Sequence, residues 1–393
     1  MTDVFILSGV RTAVGTFGGA LKDTPPADLA ALVTREAIGR AGVETGRIGH
    51  VVFGQVIQTE PRDCYLSRWA AVTAGCPVET PAMNVNRLCG SGLQAVVSAA
   101  QVVKLGEADV VVAGGAEVMS RAPYLATTAR FGQKMGDQTL IDALTGALTD
   151  PFNRYHMGMT AENVAEAHSI DRKAQDDAAH ESHRRASAAC REGRFTDQIV
   201  PVEVRSRGKT VAFDKDEHIR HDALREDFDS LKPVFKRDGG SVTAGNASGI
   251  NDGAAALVMA GEAAVKASGL KPLARLVAWG HAGVDPAHMG IGPVPATRQA
   301  LERAGLSVAD LDVIESNEAF AAQACAVSAQ LGFDPARVNP NGSGISIGHP
   351  VGATGAINTV KAVHELHRSG GRYALVTMCI GGGQGIAAIL ERV

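Results

Sequence analysis

A short pattern occurs twice along this chain, and it limits the folds open to it more than any other feature. Near the start, a helix-like stretch ends in Arg40-Ala41-Gly42 and leads through a short linker to the apolar run Val51 to Phe53. In the second half, a similar stretch ends in Arg303-Ala304-Gly305 and leads to Val313-Ile314. The order then continues in parallel. A Gly/Ser-rich turn around Gly90 opens an Ala- and Val-rich helix that stops at Gly106, followed by Val110 to Ala113 and Gly114-Gly115. A Gly-rich turn around Gly352 opens a helix that stops at Gly370-Gly371, followed by Ala374 to Thr377 and Gly381-Gly382-Gly383. Short apolar runs alternating with helical periodicity, as over Asp28 to Arg40 and Thr297 to Ala304, mark an α/β fold with buried strands. Repetition of the whole order points to a duplicated βα core, which places equivalent loops beside each other. Coincidence is the competing account, since helix, glycine and strand often follow one another in α/β proteins.

Between the halves, from about Arg121 to Gly240, the character changes to dense charge, with polar helices over Ala161 to Arg191 and a mixed-charge stretch from Lys209 to Arg237. This reads as an insertion lying over the first half, either a lid or binding elaboration or a solvated surface subdomain. The 393 residues, 45% hydrophobic and 20% charged, suffice for more than one core and for two or three domains. A net charge of -4 without a long Lys/Arg run argues against nucleic acid or a membrane surface as main partner. The N-terminus lacks the pattern of a signal peptide and no apolar run reaches membrane-spanning length, so a cytoplasmic protein is expected. The six cysteines show no C-x-x-C or metal-ligand spacing, which predicts free thiols in a reducing compartment and no metal.

Four segments carry chemistry. Cys89 lies in Asn86-Arg87-Leu88-Cys89-Gly90-Ser91-Gly92, between an extended segment and a helix. Ser91 and Gln94 have capping-box spacing. A thiol just outside a helix N-terminus faces unpaired N–H groups and the positive end of the dipole, which predicts a lowered pKa. A lone cysteine is more often a small buried hydrophobe. His349, in Gly348-His349-Pro350, precedes another helix and falls close to Cys89 in the duplicated frame, where an imidazole can take the thiol proton. Cys379 ends an apolar run and meets Gly381-Gly382-Gly383-Gln384-Gly385, whose bare N–H groups suit an oxyanion, although such a run can equally be a tight turn. Asn317, in Asn317-Glu318-Ala319-Phe320, stands before a helix-like stretch as a carbonyl-polarising amide or a helix cap.

Together, Asn-Arg-x-Cys-Gly-Ser-Gly, Asn-Glu-Ala-Phe, Gly-His-Pro and Cys-x-Gly-Gly-Gly, in this order over nearly the whole chain, resemble the thiolase family. The resemblance implies a five-layered αβαβα fold of two βα halves, with residues 1-120 and 241-270 as the N-terminal half, 121-240 as an inserted loop domain for CoA binding and tetramer contacts, and 271-393 as the C-terminal half. It implies that Cys89 takes the acyl group, His349 activates it, and Cys379 moves the α-carbon proton of the second acyl-CoA. Asn317, through a water, and His349 form one oxyanion site on this reading, and the N–H groups of Cys89 and Gly381 the other. By the same resemblance Leu148, His156, Met157, Arg220, Ala244, Ser248, Ala319 and Phe320 contact CoA and Met289 lines the acyl end. Asp227 stands where relatives offer a serine near the adenosine phosphate, which puts that contact in doubt.

The implied activity is reversible condensation and thiolysis of short 3-ketoacyl-CoA, with acetyl-CoA, CoA and 3-ketoacyl-CoA as substrates, no separate cofactor, and a homotetramer by family habit. Gln58 to Asp63, Asn339 to Gly344 and the segment from Gly371 to Ile389 resemble bacterial broad-range β-ketothiolases that serve polyhydroxyalkanoate precursors. A decarboxylating ketoacyl synthase, or a non-catalytic acyl-CoA-binding or lipid-binding relative, is the alternative; the first needs no second cysteine and the second forms no acyl-enzyme.

Overall fold

Asn251–Gly261 is a strand buried along its whole length, and its two faces belong to different cores. Ala255, Leu257 and Met259 point one way, and Ala254, Ala256, Val258 and Ala260 the other. A sheet that is apolar on both faces must be covered on both, which dictates helices above and below it. In the computed structural model, which describes residues 2–206 and 208–393, the first half supplies both covers. It runs β1 (Val4–Thr12), α1 (Pro26–Ala41), β2 (His50–Gly54), α2 (Leu66–Thr73), β3 (Ala82–Val85), α3 (Ser91–Lys104) and β4 (Val110–Val118). The chain then departs through α4 (Met157–Ala167) and α5 (Arg172–Arg191) and returns as β5, the Asn251–Gly261 strand. The second half runs β6 (Ala274–Gly283), α6 (Pro293–Ala304), β7 (Val313–Ser316), α7 (Ala321–Leu331), α8 (Thr354–Ser369), β8 (Tyr373–Ile380) and β9 (Gln384–Arg392).

The strand order makes the duplication visible. Outward from the junction of β1 and β6, the first half reads β1, β5, β4, β2, β3 and the second β6, β9, β8, β7. A parallel bridge between Ile314 and Val338 stands where the second half has no counterpart of β3. Pairs β2–β4, β2–β3 and β7–β8 are parallel, while β1, β5, β6 and β9 pair antiparallel with their main-sheet neighbours. The halves are joined edge to edge where Phe5 lies opposite Arg275 and Ile6 opposite Ala274.

Leu93 and Val96 of α3 share one core with Ile357 and Val360 of α8 and with strand residues of both halves. Helices α1 and α2 cover the far face of the first half, α6 and α7 that of the second. The result is five layers, αβαβα. In the middle layer the first turns of α3 and α8 meet backbone to backbone: a Cβ on Gly92 would lie 2.7 Å from Ala356 N, and one on Gly355 2.2 Å from Leu93 N. Two glycines thus set how closely the segments ahead of these helices, which carry Cys89 and His349, approach each other.

Three expectations need correcting. Gly114-Gly115, set in parallel with Gly381-Gly382-Gly383 as following a strand, lies inside β4, where a Cβ on Gly115 would sit 2.4 Å from Gly352 O. The polar stretch Ala161 to Arg191 is not continuous, because Ser169 takes φ 53 and Asp171 caps α5 by accepting from Ala174 N at 2.7 Å. The departing segment does not lie chiefly over the first half. Met157, Ala161 and Ala165 on one face of α4 pack with Ala319, Phe320 and Ala322 of the second half, and α5 also packs on α7.

Candidate active site

Cys89 is presented by a tight turn. Asn86 Oδ1 accepts from Leu88 N at 2.9 Å, and the Ser91 hydroxyl accepts from Arg87 N at 2.9 Å while donating to Leu88 O at 2.6 Å. These bonds hold Leu88 at φ 46, a left-handed conformation that costs a leucine on the order of 1 kcal/mol and persists only where the surroundings impose it. The expected capping box is absent. Gly90 is the N-cap, Ser91 is already the first helical residue with its hydroxyl tied to the preceding turn, and the Gln94 amide turns to Ser98 Oγ and His281 Nε2.

The expected low thiol pKa is also overturned. Burial pushes Cys89 up to about 11, opposed by the backbone N–H groups of Gly381 and of Cys89 itself, and buried Glu117 adds to the rise. His349, 4% exposed, is pushed down to about 4 by burial. Its Nδ1 lies 2.7 Å from Thr354 Oγ1, and that hydroxyl donates its hydrogen to Pro350 O at 2.9 Å. With the hydroxyl hydrogen so placed, Nδ1 carries the ring proton and Nε2 is left as an acceptor. The ring is fixed from the other side as well, since His349 N donates to Asn251 Oδ1 at 2.9 Å. Thiol and imidazole are thus both neutral at neutral pH.

Asn317 is fully buried, with Nδ2 3.5 Å from His349 Nε2 and Oδ1 without a protein partner. It is not the cap of α7, a position held by Phe320. Cys379, the penultimate residue of β8, is fully buried among Met157, Met289 and Phe320. Burial first, and then charge on Cys89, hold its thiol above the ordinary range. The glycine run that follows is a hairpin turn, Gly382 at φ 78 and Gly383 at φ 81, and its first residue, Gly381, lines the same cavity as Cys89.

A cavity of about 420 Å³ joins these groups, with Cys89, His349 and Gly381 in its lining. Its walls are mostly apolar and include Leu148, His156, Met157, Ala244, Ser248, Met289, Ala319 and Phe320. Asn317 and Cys379 are not in the lining; each is tied to it, through His349 and through the Met157–Phe320 core. Arg220 is not brought to the cavity: it is exposed, and its backbone N donates to His183 Nδ1 at 3.1 Å. Asp227 is exposed too, its carboxylate accepting from Leu224 N at 2.8 Å within its own turn.

Sequence reasoning missed Val56, Met119, Phe235, Ile250 and Val351 in the wall. These are apolar residues with no chemical signature. Only Phe235 carried a signal, as an aromatic within a charged stretch; its ring stacks on His156 at 4.6 Å between centroids.

Two family descriptions match the chain in succession, "Thiolase, N-terminal domain" over residues 4–263 and "Thiolase, C-terminal domain" over residues 270–392. Beta-ketothiolase BktB of Cupriavidus necator is 67% identical over 391 residues, covering 100% of this chain and 99% of that protein. An acetyl-CoA acetyltransferase of Pseudomonas aeruginosa is 49% identical over 394 residues, covering 100% of each. The crystal structure of the Bacillus anthracis acetyl-CoA acetyltransferase superposes with a TM-score of 0.97 at 46% identity, covering 100% of this chain and 99% of that one. Human mitochondrial 3-ketoacyl-CoA thiolase in complex with CoA superposes with a TM-score of 0.96 at 45% identity, covering 100% and 98%. With both halves matched and relatives aligned end to end, the chain belongs to the thiolase family.

Proposed function

We propose that this chain is an acetyl-CoA C-acyltransferase, a β-ketothiolase, that condenses and thiolyses short 3-ketoacyl-CoA through an acyl group on Cys89. The observation that carries the reading is the shared cavity lining of Cys89, His349 and Gly381, with the proton on His349 Nδ1 leaving Nε2 as an acceptor.

Because thiol and imidazole start neutral, the proton leaves Cys89 as sulfur attacks the thioester carbonyl, and His349 Nε2 receives it. Collapse of the tetrahedral species expels CoA as a thiolate, which takes the Cys379 proton, and leaves acetyl-Cys89, a protonated His349 and a Cys379 thiolate. A second acetyl-CoA then loses an α-proton to the Cys379 thiolate. A base held above the ordinary thiol range lies closer to so weak a carbon acid. The carbanion attacks the acetyl-Cys89 carbonyl, a carbon–carbon bond forms, the carbon–sulfur bond to Cys89 breaks, the Cys89 sulfur takes back the proton from His349, and 3-ketoacyl-CoA departs. Thiolysis is the reverse. We assign one oxyanion site to His349 with Asn317 acting through a water, which the unpaired buried Asn317 Oδ1 supports, and the other to the N–H groups of Cys89 and Gly381. No step calls for a cofactor beyond the CoA thioesters.

The apolar walls support CoA contacts by Leu148, His156, Met157, Ala244, Ser248, Ala319 and Phe320, with Met289 at the acyl end. Arg220 is kept as a phosphate contact, its side chain being exposed although outside the cavity lining. The 67% identity to a protein named beta-ketothiolase supports the β-ketothiolase reading, and the resemblance carried by Gln58 to Asp63 and Asn339 to Gly344 extends it to a broad short-chain range and polyhydroxyalkanoate precursors. Tyr124, Phe131 and Met135, 65%, 93% and 88% exposed on one arm of the 121-240 segment, support its use in subunit contacts of a homotetramer. Two working thiols support a reducing, cytoplasmic compartment. A thiolysis assay comparing acetoacetyl-CoA, 3-ketovaleryl-CoA and longer homologues tests the function: turnover of the two shorter substrates is expected, and inactivity on all of them refutes it.

A further inference from the structure

Glu117 is a carboxylate inside a sheet strand, fully buried near the end of β4, where the flanking residues Ala116 and Val118 are also fully buried. A charge there carries a desolvation penalty unless polar groups replace water. Three backbone N–H groups do so, from two separate segments. Val56 N and Ile57 N donate at 2.9 and 3.1 Å from the segment after β2, and Gly352 N donates at 2.9 Å from the segment between His349 and α8. Both segments belong to the catalytic cavity, since Val56 and Val351 stand in its wall. The approach is close enough to exclude a side chain at Gly352, where a Cβ would be 2.4 Å from Glu117 Oε2 and 2.9 Å from Gln55 Cα.

The two halves of the molecule supply the two members of the Cys89–His349 pair, and Glu117 grips the backbone on both sides of that division. We propose that Glu117 is a positioning residue for acyl transfer, its carboxylate bridging the first-half wall behind Cys89 to the second-half segment that carries His349. The carboxylate does not reach the substrate; it acts through Val56, Ile57 and Gly352. Its charge also bears on the nucleophile, because Glu117 is among the groups that raise the Cys89 thiol. The other ionisable groups at the site are Asp63, which acts on Glu117, Cys379, coupled to Cys89, and His349, neutral down to about 4. Glu117, pushed up to about 8 by burial, gains its charge within the range over which the Cys89 thiolate fraction grows, so its effect on Cys89 is present above about pH 8.

The inference rests on the proposed roles of Cys89 and His349, so its test includes a readout that needs no acyl transfer. In the full chain, Cys89 alkylation by iodoacetamide is followed by peptide mass between about pH 7 and 10, alongside thiolysis of acetoacetyl-CoA. Glu117→Gln removes the charge and turns an amide N–H₂ toward an N–H donor. It is expected to move the alkylation profile to lower pH and to reduce kcat by on the order of a hundredfold while KM changes little. Glu117→Asp keeps the charge and shortens the reach, so kcat falls while the profile stays in place; this variant carries the test if Glu117→Gln does not fold. An unshifted alkylation profile in Glu117→Gln, or unaltered kcat in Glu117→Asp, overturns the proposal. Absence of thiolysis in the unsubstituted protein, with the Glu117→Gln alkylation shift intact, removes the functional reading and leaves the Glu117–Cys89 coupling standing.

Discussion

At the scale of single residues, the decisive contest is over the Cys89 proton. A helix N-terminus favours an anion by about 0.3–1 kcal/mol at surface sites, which is less than one pKa unit. Enclosure by the cavity wall outweighs it, and the thiol is held at about 11. The free enzyme therefore stores no thiolate–imidazolium pair. Alkylation of Cys89 by a neutral reagent is expected to accelerate steadily from about pH 7 to 10, tracking the small thiolate fraction. A plateau reached below about pH 7, measured as second-order rates by peptide mass, would sink this account. Cys89, His349, Cys379 and Asn317 were legible because each sits in a run of small or unusual residues. Their protonation was not legible, since it depends on walls such as Met157, Phe320 and Val351 that come from distant parts of the chain.

At the scale of elements, α3 and α8 set the site, because their first turns cross at Gly92 and Gly355. Gly92→Ala forces a Cβ to within 2.7 Å of Ala356 N, so backbone must move rather than a side chain. The expected cost is about 1–3 kcal/mol of stability, seen as a lower unfolding temperature, together with a fall in kcat as the Cys89 and His349 segments separate. Wild-type stability and turnover in this variant would show that the crossing does not hold the site. Helices α1, α3, α6 and α8 could be read from periodicity and terminal glycines. The central antiparallel strands could not: β5 is Asn-Asp-Gly-Ala-Ala-Ala-Leu-Val-Met-Ala-Gly, rich in residues of low strand propensity, and nothing local separates it from a helix. In β1 a register shift between Ile6 and Ser8 disrupts the alternation that would have marked it.

For the whole molecule, buried titratable groups oppose one another across neutral pH. Glu117 at about 8 and Asp252 at about 6 lie above their unfolded values, so the stability they contribute is lost as pH rises through those pKa values. His349, His218 and His281 at about 4 and His183 at about 3 lie below theirs, so their contribution is present above about pH 6.5 and lost on acidification. The unfolding temperature by calorimetry should peak near pH 6.5 and fall on both sides. A temperature that still rises from about pH 7 to 8.5 contradicts this balance. The duplication read from two Arg-Ala-Gly helix ends proved the right guide to the architecture. Where the charged segment docks was not readable, because α4 and α5 carry small apolar faces whose partner, α7, follows more than a hundred residues later.

All of this converges on acyl transfer to Cys89, and the most direct measurement is the mass of the Cys89 peptide after brief exposure to acetyl-CoA and acid quench. The account predicts one acetyl group on Cys89, retained in Cys379→Ser although that variant no longer condenses. An unmodified Cys89 in an intact, folded protein, or acetylation lost with Cys379, would contradict it.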